Sequence, residues 1–248
     1  MPDTLIVVPT FNEAGNLARL VGDLRRNVPD ARVLVIDDDS PDGTGRIADE
    51  LAKADDHVSV EHRARKSGLG SAHVLGMERA LSTGAEVLVT MDCDYTHKPE
   101  DVPTLLARLA VGDVDLVIGS RWQHPEGISD WPLSRRLITR TAHFMTTHLL
   151  GIRFDATNAF RAYRTQALRS VPFKDVRAEG YSFMFEMVFA CLAAGLRIVE
   201  VPVQLPIRQA GESKISKTEI AKAVLSLGRL SLARAAGAVR GKARQPAR

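Results

Sequence analysis

Five short strand-like runs recur in the first part of the chain, and four of them end in a cluster of polar, turn-forming residues. Leu5-Ile-Val-Val, Arg32 to Ile36, Val58 to Glu61, Val87 to Met91 and Leu116 to Gly119 are too short for packed helices. Continuous apolar runs of this length suit strands buried on both faces, the environment of a parallel sheet. Helical spacing fills the gaps between them. Asn12 to Arg26 sets Leu17, Leu20, Val21 and Leu24 on one face, with Asn12 placed to cap and Glu13 in the first turn. Thr44 to Lys53, Ser71 to Leu81 and Asp101 to Leu109 repeat the pattern. Alternation of this kind predicts an α/β fold: a mostly parallel, Rossmann-like sheet flanked by helices.

Ligands on such sheets bind beyond the carboxyl ends of the strands. Four polar clusters fall at those ends: Pro9–Glu13, Asp37–Gly43, Asp92–His97 and Ser120–Trp122. The second half is less regular. Ser134 to Leu150 reads as a helix, Arg177 to Leu196 holds a longer helix after Gly180, and Arg197 to Pro202 is a strand. Glu219 to Ala238 is helical by composition, and Gly241 to Arg248 reads as frayed.

With 45% of its 248 residues hydrophobic, the chain can bury a substantial core, which excludes disorder as its main state. Cys93 and Cys191 are too few for a disulfide framework and lie in no metal-ligand pattern, so a reducing compartment without structural zinc is expected. The longest apolar stretch, Thr141 to Ile152, is interrupted by His143 and His148 and falls short of a membrane span. Met1-Pro2-Asp3 lacks the positive start and apolar stretch of a signal peptide, so the expected location is cytoplasmic. The net charge of +3 conceals an asymmetry: nine Lys/Arg and one acid lie between Lys214 and Arg248, above a mildly acidic body. That pattern excludes a uniformly basic nucleic-acid binder and points one end of the chain at anions.

The most specific chemical signal is Asp92-Cys93-Asp94 directly after a strand. Two carboxylates that close repel one another unless a cation neutralises them, and Mg²⁺ or Mn²⁺ suits both their oxygens and those of a diphosphate. A solvated acidic loop is the plainer reading of a D-x-D met alone. Asp37-Asp38-Asp39-Ser40-Pro41-Asp42-Gly43-Thr44 offers acids for a nucleobase or ribose, and equally caps for backbone N–H groups through Asp42 and Thr44. Gly68-Leu-Gly70 reads as a turn, His97 and His143 as packing or hydrogen-bonding residues, and Glu186 as a structurally paired acid.

Taken in order, V-V-P-T-F-N-E (Val7 to Glu13), D-D-D-S-P-D-G-T, K-S-G-L-G-S-A (Lys66 to Ala72), M-D-C-D-Y-T-H-K-P (Met91 to Pro99) and G-S-R-W (Gly119 to Trp122) resemble the inverting glycosyltransferases of the GT-A fold. The likeness is closest to the dolichyl-phosphate (polyprenyl-phosphate) mannose synthases of family two. It continues through W-P-L-S-R-R (Trp131 to Arg136), D-A-T-N-A-F-R-A-Y-R (Asp155 to Arg164), E-G-Y-S-F-M-F-E (Glu179 to Glu186), E-V-P-V (Glu200 to Val203) and R-Q-A-G-E-S-K (Arg208 to Lys214). The resemblance implies a GT-A domain over residues 1–215, its nucleotide-sugar half at 1–120 and its acceptor half at 121–215, followed by a basic C-terminal helix and tail at 216–248. It implies that Pro9, Phe11 and Glu13 frame a guanine nucleotide, with Ile36 and Asp38 on base and ribose. Asp92 and Asp94, flanking Cys93 and with Thr96 beside them, would hold Mg²⁺ or Mn²⁺ and the diphosphate. Arg121, Arg135 and Thr139 would meet a lipid phosphate, and Arg208 and Lys214 would close over the donor. Four positions depart from the family pattern: Asp39 for Gly or Asn, Phe11 for Tyr, Cys93 for Ala, and Asn158-Ala159 for Ser-Gly.

The implied reaction moves mannose from GDP-mannose to a polyprenyl phosphate with inversion, at a membrane surface met by the basic tail. A phosphate acceptor is already an anion, so no general base is needed. Transfer from a UDP-sugar, or to a soluble acceptor, is the rival within the class. A nucleotidyltransferase would favour a Gly-rich loop near the N-terminus, which Pro9 to Gly15 is not, and a binding module without catalysis would not need both Asp92 and Asp94.

Overall fold

The computed structural model describes residues 2–176, 180–206 and 217–237. One sheet is built from β1 (Thr4–Thr10), β2 (Arg32–Asp37), β3 (Val58–His62), β4 (Val87–Thr90), β5 (Leu116–Ser120), β6 (Arg161–Arg164) and β7 (Ile198–Pro202). Their spatial order is β3-β2-β1-β4-β6-β5-β7. Every neighbouring pair is parallel except those of β6, which runs antiparallel to β4 and β5. The helices are α1 (Leu17–Asn27), α2 (Thr44–Ala54), α3 (Leu69–Ser82), α4 (Val102–Ala110), α5 (Leu133–Leu150), α6 (Thr165–Leu168), α7 (Phe183–Ala193) and α8 (Lys217–Ala235).

The apolar runs are continuous because both faces of the sheet are covered. Ile6 and Val8 of β1 join Leu17, Leu20 and Leu24 of α1 and Leu105 and Leu109 of α4 in one core layer. Leu5 and Val7 point the other way, into a layer with Met77 of α3 and Phe183 and Met187 of α7. This is the period-two alternation of a strand with no wet face.

Three expectations change. The first helix begins at Leu17, not Asn12, which sits at φ 57° in the left-handed region. Side chains of the next loop accept from the N–H groups of Asn12, Glu13 and Ala14 and hold the segment in this non-helical path. The helix expected within 177–196 is confined to Phe183–Ala193. Arg161–Arg164 forms an unforeseen antiparallel strand.

Chain order reverses between β1 and β4: the chain moves outward through β2 and β3, then returns to β1's other side. A crevice belongs at such a switch point. Pro9 helps to open it. The Val7 carbonyl accepts from the Met91 N–H across the β1–β4 seam. Two residues on, the same side of β1 presents Pro9, which has no N–H to offer, and the two strands part.

Two features predict measurable stability effects. A side chain at Gly76 on α3 would place its Cβ 2.6 Å from a Val7 methyl. Gly76→Val should therefore cost about 1–3 kcal/mol by overpacking, measured by urea unfolding, and Val7→Ala in the same chain should recover part of the loss. His73 is buried against Phe183, ring centroids 5.8 Å apart, and its pKa falls to about 3 through burial and then the nearby Arg161. The native state refuses a proton that the unfolded chain accepts near pH 6.5. Stability is thus lost as pH falls from about 6.5 towards 3, and His73→Phe should flatten that loss by about 1.4 kcal/mol per pH unit.

Candidate active site

The loops after β1 and β2 satisfy one another's polar groups. Ser40 Oγ, Thr44 Oγ1 and Asp42 Oδ2 accept from the N–H groups of Asn12, Glu13 and Ala14 at 2.9–3.0 Å. Asp37 accepts from the Thr10 and Ser40 hydroxyls, at 3.2 and 2.6 Å. The adjacent carboxylate, Asp38, accepts from the Ser67 and Gly68 N–H groups, both at 2.9 Å, and pairs with Arg63 at 3.3 Å. Asp38 thereby draws the loop before α3 to the edge of the crevice. Asp39 lies at φ 60°, a conformation that Gly and Asn tolerate best, which explains their use at this position in the family pattern.

The crevice is a cavity of about 530 Å³. Of the residues that the resemblance names, Pro9, Phe11, Glu13, Asp38, Asp92, Cys93 and Asp94 line it. Ile36 does not: it is fully buried in the core, and its carbonyl accepts from the Thr10 hydroxyl at 3.3 Å. Sequence reasoning missed Lys66, whose ammonium lies 3.8 Å above the Phe11 ring, and Tyr181, Glu219 and Lys222 at the far wall. Glu219, in the first turn of α8, accepts from the Tyr181 N–H at 3.3 Å.

The acid pair stands at the end of β4. Asp94 is buried, and its Oδ1 accepts from both the Thr96 N–H (3.0 Å) and hydroxyl (2.6 Å). Thr96 therefore orients Asp94. Asp92 is about one-third exposed, and its N–H donates to His97 Nδ1 at 2.8 Å. That bond fixes His97 as the neutral Nε2–H tautomer, stacked on Phe160 at 5.1 Å. Burial, above all, holds its pKa at about 4, so His97 is a packing and hydrogen-bonding residue, as predicted. Two carboxylates lining one cavity fit a divalent ion whose remaining ligands are diphosphate oxygens and water. Among the described residues no third acid, histidine or cysteine joins them.

Just beyond β5, Arg121 is buried. Its Nε and Nη2 form a bidentate pair with Asp155 at 2.8 and 3.0 Å, which leaves Nη1 outside the pair. Asp155 is positioned in turn by Glu200, which accepts from its N–H at 2.5 Å and whose own pKa is raised chiefly by burial. The guanidinium of Arg135 stacks 3.8 Å over Trp131, whose indole N–H donates to the Leu205 carbonyl. Thr139 is half-buried one turn further along α5. Arg208 and Lys214 lie outside the described residues. Asp155 and Glu200 were detectable only as members of the D-A-T-N and E-V-P-V strings, with no local chemistry to mark them.

Comparison with known proteins agrees with this geometry. The profile of Glycosyl transferase family 2 matches residues 5–172. The chain is 40% identical over 243 residues to polyprenol monophosphomannose synthase of Mycolicibacterium smegmatis, covering 96% of this chain and 91% of that one. It is 42% identical over 230 residues to undecaprenyl-phosphate mannosyltransferase of Micrococcus luteus, covering 92% and 94%. Among solved structures, glucosyl-3-phosphoglycerate synthase from Mycobacterium tuberculosis, in complex with Mn²⁺, UDP and phosphoglyceric acid, superposes with a TM-score of 0.65 at 20% identity, over 94% of this chain and 78% of that one. Mannosyl-3-phosphoglycerate synthase from Rubrobacter xylanophilus gives 0.65 at 19% identity, over 100% and 78%. These two likenesses establish the GT-A type of fold.

The buried Arg121–Asp155 pair carries a stability prediction. Asp155→Ala leaves the guanidinium uncompensated and should cost about 3–5 kcal/mol in urea unfolding. Removing the acid of the solvent-exposed Arg108–Asp113 pair should cost far less.

Proposed function

The chain belongs to glycosyl transferase family 2, and on that premise we propose that it transfers mannose from GDP-mannose to a polyprenyl phosphate, forming a β-linked lipid phosphosugar. The carrying observation is near full-length identity of 40% and 42% to two enzymes named for mannosyl transfer to polyprenyl lipids. The geometry supports it. An acid pair stands at the switch point of the sheet, and a loop drawn in by Asp38 forms the adjacent wall.

In this reading Phe11, Glu13 and Asp38 border the nucleoside, while Lys66 and Lys222 add positive charge at the rim of the cavity. Asp92 and Asp94 would hold Mg²⁺ or Mn²⁺, with Thr96 keeping Asp94 in position. A bound ion supplies neutralisation of the charge that develops on the departing diphosphate. Arg208 and Lys214 would add to it from the segment between Leu205 and α8. Arg135, planar and always charged, suits the incoming phosphate, and Arg121 offers Nη1 while Asp155 fixes its other edge. The acceptor oxygen is an anion at neutral pH, so no base is required. His97 cannot serve as one, because its Nδ1 already accepts from Asp92. Direct displacement at the anomeric carbon converts an α-linked donor into a β-linked product.

Two measurements test this. Asp94→Ala should lower turnover by about 10²–10³-fold or more while the protein stays folded, and chelation should abolish wild-type activity. Calorimetric titration in Mn²⁺ should show GDP binding more tightly than UDP; the reverse order would move the donor to a UDP-sugar.

A further inference from the structure

Among the described residues, three that are not glycine adopt a positive φ: Asn12, Asp39 and Tyr95. They lie in the loops that follow β1, β2 and β4, on the ligand edge of the sheet. Asn and Asp tolerate that conformation through short polar side chains, whereas a bulky residue there is an outlier. Tyr95, at φ 62°, stands between Asp94 and Thr96. It is thus the central residue of the turn in which the Thr96 N–H and hydroxyl donate back to Asp94 Oδ1. Glycine would take that conformation freely. What tyrosine adds is an anchor.

The Tyr95 ring is buried and joins the core layer with Leu20 and Leu24 of α1. Its hydroxyl donates to Asp23 Oδ2 at 2.6 Å, the short separation of a bond to a charged acceptor. Asp23 is itself buried on α1. Arg26 pairs with its Oδ1, and the guanidinium of Arg19 lies 4.7 Å from the Tyr95 ring centroid. Helix α1 therefore grips both walls of the crevice. At its start the Asn16 amide donates to Glu13 Oε2 at 2.8 Å, and the Leu17 N–H to the Glu13 carbonyl at 3.0 Å. Seven residues after Asn16, on the same side of the helix, Asp23 holds the acid loop. Glu13 and Asp94 line the cavity, but Asp23 and Tyr95 do not. Their effect on a ligand passes through the residues they hold.

We propose that Asp23 and Tyr95 are a positioning pair, whose buried hydrogen bond holds the Asp92–Thr96 loop in the turn that presents Asp94 to a divalent ion and its diphosphate. This assignment rests on the metal reading of Asp92 and Asp94. The unfavourable backbone at Tyr95 is retained because the anchored side chain sets the carboxylate geometry before an ion arrives. Outer-shell partners of this kind change metal affinity by about 10–100-fold.

The test uses the full chain, with the folding of every variant checked by thermal melting. Uptake of Mn²⁺ is read from the electron paramagnetic resonance signal of the free ion, with GDP and separately with UDP, against protein-free controls. Tyr95→Phe and Asp23→Ala should each weaken Mn²⁺ binding by about tenfold or more. The double variant should be no worse than either alone, since both substitutions remove one bond. Asp23→Asn, whose amide oxygen still accepts from the phenol, should recover most of the affinity. Val33→Ala, a core truncation at the far end of β2, should lower the melting temperature and leave Mn²⁺ uptake unchanged. Unchanged uptake in Tyr95→Phe and Asp23→Ala overturns the pair, as do losses that add in the double variant or that Val33→Ala reproduces. Full uptake in Asp94→Ala, or none by the wild type with either nucleotide, is a separate failure: the metal reading falls, and the pair loses its role with it.

Discussion

Backbone N–H groups left buried without partners would be intolerable, and the ligand edge of this sheet is organised around satisfying them. At the carboxyl ends of parallel strands the ladder stops, so its last donors need side chains. The run from Asp37 to Thr44 supplies those partners for three segments at once. Asp37 holds Thr10 and Ser40, Asp38 holds Ser67 and Gly68, and Asp42 holds Ala14 and Thr44. Desolvation of Asp42 opposes ionisation, yet the Thr44 hydroxyl and the Ala14 and Thr44 N–H groups together lower its pKa. The acids that look on paper like a cluster of ligands are mostly a brace, and the brace gives the cavity its shape before anything binds.

A second constraint lies in β6. Among the described residues Arg161 is the largest fully buried side chain, and its guanidinium is held by the carbonyls of Ala156 and Met184. It contributes, after burial, to the low pKa of His73. It acts the same way on His97, where burial again leads and Arg121 adds to the effect. The interior around β6 therefore keeps the imidazoles of His73 and His97 neutral.

This logic sets what could be read from the sequence. Four of the five early strands were legible because both of their faces are buried; edge strand β3 keeps only Val58 buried. The D-x-D was legible because chemistry and strand position coincide. β6 was not, since Arg161–Arg164 has no apolar run; its burial depends on hydrogen bonds to distant carbonyls. The start of α1 was misplaced because its competing partners, Ser40, Asp42 and Thr44, belong to another loop. The pairing of Arg121 was not legible for the same reason: Asp155 lies 34 residues away, and Glu200, which holds the Asp155 N–H, is 45 residues beyond that. Local pattern carries the elements, whereas long-range polar pairing decides which charged side chains reach the cavity.

Pro9 illustrates how backbone chemistry can act as a mechanical stop. β1 and β4 separate where an imino acid takes the place of the next ladder donor. Pairing cannot be extended past that point by thermal fluctuation, so the empty crevice has no zipped-up form to fall into. A ligand entering there performs no work in prising strands apart, so that cost is not added to the ordinary costs of association.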